Sequence, residues 1–140
     1  MLLFVGTGPL EETVRVRANR LGLGDRVRFL GRRDDIPALM SAMDALIFPS
    51  RYEGFGLVAL EAQAAGLPCV VSEAVPSGVL VLPTARRLPL TSGPSGWASA
   101  VPTEFASSRA DAAQVVASAG FSVEANTNRV EDVYARVTQH

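Results

Sequence analysis

The chain has 140 residues, a formal net charge of −1 and an apolar content of 48%. That suits one compact domain with a real core, and the mildly acidic balance lacks the basic footprint of a nucleic-acid binder. A single cysteine, Cys69, lies in the apolar run Leu67-Pro68-Cys69-Val70-Val71; it excludes a disulfide framework, reads as an inert core residue and fits a reducing cytoplasm.

Leu2 to Val5 is a short apolar run ended by glycine, the pattern of a strand buried on both faces. No basic leader precedes it and no apolar segment reaches the length of a membrane span, so a soluble protein without a signal peptide is expected. Gly6-Thr7-Gly8-Pro9 turns into a helix over about residues 10–22, with Val14, Ala18 and Leu21 at helical spacing and Gly22 as its stop. Val27 to Leu30 reads as the second strand, closed by Gly31. Asp34 or Asp35 is placed to cap the next helix, with Pro37 in its first turn and Ile36, Leu39, Met40 and Met43 on its inner face. A buried strand, Ala45 to Phe48, a helix over about 56–65 and a strand at Cys69 to Val71 follow.

Beyond Ser72 the pattern predicts a strand at Val79 to Leu82 and a short one at Arg87 to Leu90. Thr91 to Gly96 reads as a loop and Trp97 opens a helix. Two further helices are predicted, over 108–119 and 124–138, the last with Val130, Val133, Tyr134 and Val137 as its apolar stripe. Strand–helix alternation of this kind implies a Rossmann-like parallel sheet with helices on both faces, here as one domain over residues 1–140.

The chemistry concentrates between Pro49 and Pro68, where a strand runs into a glycine-bearing turn and a helix opens at once. Open α/β sheets bind ligands at such carboxyl ends of strands. The backbone N–H groups of Gly56, Leu57 and Val58 begin that helix without intrahelical partners, which suits an anion. Glu53 and Glu61 stand eight residues apart across the junction. Carboxylates hold phosphate poorly but accept hydrogen bonds from sugar hydroxyls, so the combination points to a nucleotide-sugar. Gly54 and Gly56 leave the backbone open to a close approach. Phe55 reads as a core plug rather than a stacking platform, and Arg51 as a solvent-facing side chain.

These residues resemble the donor-binding half of a retaining GT-B glycosyltransferase of glycosyltransferase family 4 (glycosyl transferases group 1). The family's Glu-x7-Glu motif is matched by Glu53 and Glu61, with Glu-Gly-Phe-Gly at its start and Glu-Ala-Gln-Ala-Ala-Gly-Leu-Pro after it. Val5-Gly6-Thr7-Gly8-Pro9-Leu10, Val27-Arg28-Phe29-Leu30-Gly31 and the helix Asp34 to Asp44 extend the likeness over roughly the first 80 residues. Within the family it is most similar to transferases of capsule and exopolysaccharide biosynthesis.

The resemblance implies that Glu61 accepts the ribose hydroxyls of the nucleotide. It implies that Glu53 contacts the donor sugar and stabilises positive charge at its anomeric carbon, the catalytic role. Gly54, Phe55, Gly56, Leu57 and Val58 then belong to the donor-binding turn, and Gly6, Gly8, Gly31 and Arg32 border the same donor. The implied reaction moves a hexosyl unit from a UDP- or GDP-linked sugar to a lipid-linked or polysaccharide acceptor. It needs no metal and no separate cofactor; neither an Asp-x-Asp motif nor a His/Cys/carboxylate cluster is visible in the sequence.

The resemblance also implies an acceptor domain and a first strand–helix unit ahead of this segment, so the chain reads as a truncated donor-binding part, inactive alone. A cytoplasmic location follows, with the full-length enzyme associating peripherally with the inner membrane face. Apolar surface left open by the truncation would favour homo-oligomerisation. Other readings stand beside this one. Gly6-x-Gly8 invites a dinucleotide-binding epimerase or dehydrogenase, but Glu11 occupies the third glycine position, Glu12 would repel a pyrophosphate, and the chain has no lysine for a Tyr/Lys pair. The remaining alternative is a non-catalytic nucleotide-binding or structural fragment of the same fold.

Overall fold

A computed structural model describes residues 1–101 and 109–138. The chain forms two compact units, residues 1–36 and 37–140. The predicted class is the one observed: α/β, with every strand pairing parallel.

In the first unit, β1 (Leu2–Phe4) pairs in parallel with β2 (Val27–Phe29), and α1 (Glu11–Arg20) connects them. Phe4 and Phe29 stand opposite each other in register and stack at 4.9 Å. The Arg15 guanidinium of α1 lies 4.1 Å from the Phe29 ring centre, a cation–π contact. Gly22, at φ +67°, ends α1 as predicted: its N–H donates to Asn19 and that of Leu23 to Ala18, both to carbonyls left open by the last turn.

The double-sided burial expected of Leu2 to Val5 is not found. Leu2, Phe4 and Val5 are exposed while Leu3 is half-buried, the alternation of a strand covered on one face. Asp35 stands directly before α2 (Ile36–Ala42). Its carboxylate accepts two hydrogen bonds from Arg33, at 2.8 and 2.7 Å, and this pairing holds it below the usual carboxylate range.

The second unit is built on a three-stranded parallel sheet in the order β3 (Leu46–Phe48), β4 (Cys69–Ser72), β5 (Ala85–Leu88). α2 (Ile36–Ala42) leads into β3, and α3 (Leu57–Ala64) crosses from β3 to β4. α4 (Gly93–Ala100), α5 (Arg109–Ser118) and α6 (Val123–Val137) follow. β4 is central, paired on both sides and buried throughout, and its Cys69 and Val71 pack with Ala59, Val75 and Val79 as the core. Edge strand β3 is less covered than its apolar sequence suggests: Ile47 is exposed while Leu46 and Phe48 turn inward, because one face of an edge strand lacks a covering layer.

Val79 to Leu82 is not a strand. Ser77–Val79 is a short 3-10 turn, and the N–H groups of Val81 and Leu82 donate to the side chain of Gln63, which removes them from any ladder. β5 accordingly begins at Ala85 rather than Arg87 and stops before Pro89. The predicted loop at Thr91 to Gly96 is partly helix, since Pro94 sits in the first turn of α4 where its missing N–H costs nothing. Trp97 of α4 is buried and its indole N–H donates to the Pro89 carbonyl at 3.2 Å. α5 and α6 fall where predicted, residue 108 lying outside the described residues. The stripe Val130, Val133, Tyr134 and Val137 remains exposed among the described residues.

Candidate functional site

The turn between β3 and α3 is held at several points. At its start, the Ser72 hydroxyl, from the last residue of β4, donates to the Ser50 carbonyl at 2.5 Å, and the Ser50 hydroxyl donates onward to the Tyr52 carbonyl at 3.0 Å. At its end, Gly56 takes φ +88°, and a Cβ there would lie 2.9 Å from Val75 Cγ1. Only glycine meets both conditions without strain. The closeness at Gly56 is therefore packing against Val75, rather than the room for a ligand expected from sequence. At Gly54 nothing lies within 4 Å of a built Cβ, and that backbone is open.

Between these points the turn presents Glu53, half-buried, and Phe55, 44% exposed. Phe55 is thus no core plug. Its ring meets Phe121 in an edge-to-face contact at 6.0 Å and 64°, and it is otherwise partly open to solvent. Arg51 is exposed, as expected.

α3 begins at Leu57, so the N–H groups of Gly56, Leu57 and Val58 have no carbonyl within the helix to meet. Ala59, Ala62 and Gln63 face the interior. Glu61 is exposed and follows Leu57 and Val58 by four and three residues, which puts it on their side of the helix. Neither Glu53 nor Glu61 makes a hydrogen bond or ion pair among the described residues, so both carboxylates retain their full accepting capacity.

In the first unit, Gly6 and Gly31 meet where β1 and β2 end: the Gly6 N–H donates to the Gly31 carbonyl at 2.7 Å in an isolated bridge. Both have positive φ, +116° and +63°, and both are open on the side a Cβ would occupy. Gly8 is exposed, and its carbonyl accepts from the Glu11 N–H as the turn enters α1. Arg32 follows Gly31 and is exposed. The ends of β1 and β2 are thus joined at these two glycines.

Sequence reasoning missed the supports. Gln63 is fully buried with all its amide capacity used: Nε2 donates to the Ala59 and Val79 carbonyls at 3.0 and 2.9 Å, and Oε1 accepts from the Val81 and Leu82 N–H groups at 2.7 and 2.9 Å. A lone amide amid the small and apolar residues of α3 was the available signal. Arg109, at the start of α5, donates to the Ser41 and Met43 carbonyls and lies directly against Gly66, fixing α5 beside the end of α3. Cys69 is buried, and burial pushes its thiol up to about 12, in keeping with the inert role expected. Among the described residues no group of three or more His, Cys, Asp or Glu is arranged to hold a metal ion, and no helix is long and apolar enough to cross a membrane.

Comparison with known proteins identifies the setting of this turn. Residues 1–83 match the family model for glycosyl transferases group 1. EpsF of Bacillus subtilis (strain 168), which carries a provisional glycosyltransferase name, is 33% identical over 137 residues, covering 95% of this chain and 36% of its own length. The D-inositol 3-phosphate glycosyltransferase of Salinispora tropica is 56% identical over 57 residues, covering 39% of this chain and 12% of its own.

Among solved structures, Anabaena HepE in complex with UDP-glucose superposes with a TM-score of 0.65 at 29% identity, covering 95% of this chain and 40% of that one. Sucrose-phosphate synthase from Thermosynechococcus elongatus gives 0.68 at 27% identity, covering 99% and 38%. The fold is thus that of part of a GT-B glycosyltransferase, and the chain spans well under half the length of each of these relatives. With the family model matched over more than half its residues, the chain belongs to the glycosyl transferases group 1 family.

Proposed function

We propose that this chain is the donor-binding part of a retaining glycosyltransferase that moves a hexosyl unit from a UDP- or GDP-linked sugar to a lipid-linked or polysaccharide acceptor. The observation that carries the reading is the arrangement at α3: open N–H groups at its first turn, Glu61 on the same side, and Glu53 in the turn before it. In this reading the Gly56, Leu57 and Val58 amides receive the diphosphate, helped by the helix dipole. Glu61 accepts both ribose hydroxyls, each such bond contributing roughly 1.5–3 kcal/mol when desolvated. Glu53 accepts from sugar hydroxyls and stabilises charge developing at the anomeric carbon, so that positioning and electrostatics supply most of the catalysis. Gly54 and Phe55 flank the sugar. No metal or separate cofactor takes part, and the acceptor is bound outside this chain. UDP-glucose in the HepE structure supports a nucleotide-sugar as the ligand class.

Titration of the wild-type chain and Glu61→Ala with UDP, GDP and NAD tests the reading. UDP or GDP should bind, NAD should not, and Glu61→Ala should weaken binding at least about tenfold. Equal affinity in the variant would remove Glu61 from the donor site. Absence of any nucleotide binding would leave the motif as scaffold, the structural alternative.

A further inference from the structure

We propose that Phe121, in the connection between α5 and α6, is a positioning residue for the Glu53–Gly56 turn, so that the segment beyond the family-matched residues sets the geometry of the sugar-facing carboxylate. The match to the family ends at residue 83, and among the described residues the ring of Phe121 is the side chain from beyond it that meets the turn by aromatic contact.

The connection is built as a fixed point. α5 ends with Gly120 at φ +91°; the Gly120 N–H donates to the Ala117 carbonyl and the Phe121 N–H to the Val116 carbonyl, at 2.9 and 3.3 Å. This is the two-bond closure that ties a chain back onto its own last turn. Val116, which receives Phe121, is buried. One residue later Ser122 caps α6, its hydroxyl accepting from the Ala125 N–H at 3.0 Å. Phe121 therefore sits between a closed helix end and a capped helix start, with no slack on either side. α5 in turn is fixed to the α2–β3 connection by Arg109, whose guanidinium holds the Ser41 and Met43 carbonyls.

The other supports of the turn are the Ser72–Ser50 and Ser50–Tyr52 hydrogen bonds ahead of Glu53 and the packing of Gly56 on Val75 after Phe55. Phe121 acts between them, on Phe55, two residues from Glu53. Loss of its ring should release the middle of the turn and leave the ends attached. The sugar-specific consequence rests on the donor-binding reading above; the mechanical one does not.

The experiment uses the full chain with Phe121→Ala and Phe121→Tyr, the second keeping the ring. In ligand-free protein, amide hydrogen exchange of residues 53–56 should quicken at least about fivefold in Phe121→Ala, with residues 69–72 unchanged and Phe121→Tyr like wild type. Unchanged exchange at 53–56, or equal acceleration throughout the sheet, overturns the proposal. The second readout is the affinity ratio of UDP-glucose to UDP, which a merely structural loss would not move. Phe121→Ala should lower this ratio about threefold or more while UDP affinity holds. A parallel fall of both ligands overturns the positioning role. Failure of wild type to bind either nucleotide counts against the donor-binding reading, and the exchange data then decide the proposal.

Discussion

The Ser72 hydroxyl donates to the Ser50 carbonyl at 2.5 Å, so the strand that follows the motif helix holds the turn that precedes it. Both groups lie where β3 and β4 end side by side, Phe48 being in register with Val71. Ser72→Ala should destabilise the chain by about 1–2 kcal/mol, since a part-buried carbonyl loses its donor. Urea unfolding measures that cost. Nucleotide affinity should also fall in Ser72→Ala, because the entry to the turn is released; affinity identical to wild type would show that the turn holds its shape without this bond.

Gln63 makes four hydrogen bonds that join α3 to the segment entering β5. Gln63→Leu keeps comparable bulk but leaves the Val81 and Leu82 N–H groups and the Val79 carbonyl without partners. A loss of about 3 kcal/mol or more is expected. Gln63→Glu should also destabilise, since an ionised carboxylate can still accept from the two N–H groups but cannot donate to the carbonyls. A shift in urea midpoint below that expected for 1 kcal/mol in both variants would count against this account.

Gly54 and Gly56 are distinguishable by experiment. Gly56→Ala meets both a left-handed backbone and Val75, and should cost about 2 kcal/mol or more in stability. Gly54→Ala meets nothing and should leave stability within about 0.5 kcal/mol of wild type. If Gly54 faces the donor sugar as proposed, its substitution should nevertheless weaken UDP-sugar binding. Thermal or urea unfolding of both variants, paired with titration, separates the two roles.

Cys69 is fully buried, and desolvation of its thiolate raises the thiol pKa to about 12. At pH 8 it should resist a thiol-directed disulfide reagent in the native chain and react at once in denaturant. Fast native labelling would mean that β4 opens readily.

The second half of the family motif was legible because its pattern is local. The strands at Ala45 to Phe48 and Cys69 to Val71, the glycine at the head of α3, the stop at Gly22 and the spacing from Glu53 to Glu61 all depend on neighbours in sequence. What escaped depends on distant partners. Val79 to Leu82 carries a strand's composition, yet Gln63 takes two of its N–H groups from 18 and 19 residues away. Phe55 has the character of a core residue and finds only an edge contact with Phe121, 66 residues on. Leu2 to Val5 has the pattern of a doubly covered strand but is covered on one face. Period and composition specify what a segment can do; they do not specify which partner arrives.

The central place of β4 also sets an order of opening. Its amides and carbonyls are shared between ladders to β3 and β5, its four side chains are inaccessible, and its last residue is tied to the turn. From Cys69 to Val71 the strand is paired on both sides, so opening it there disturbs both ladders. The amides of Cys69 to Ser72 should therefore exchange hydrogen more slowly than those of the turn bearing Glu53.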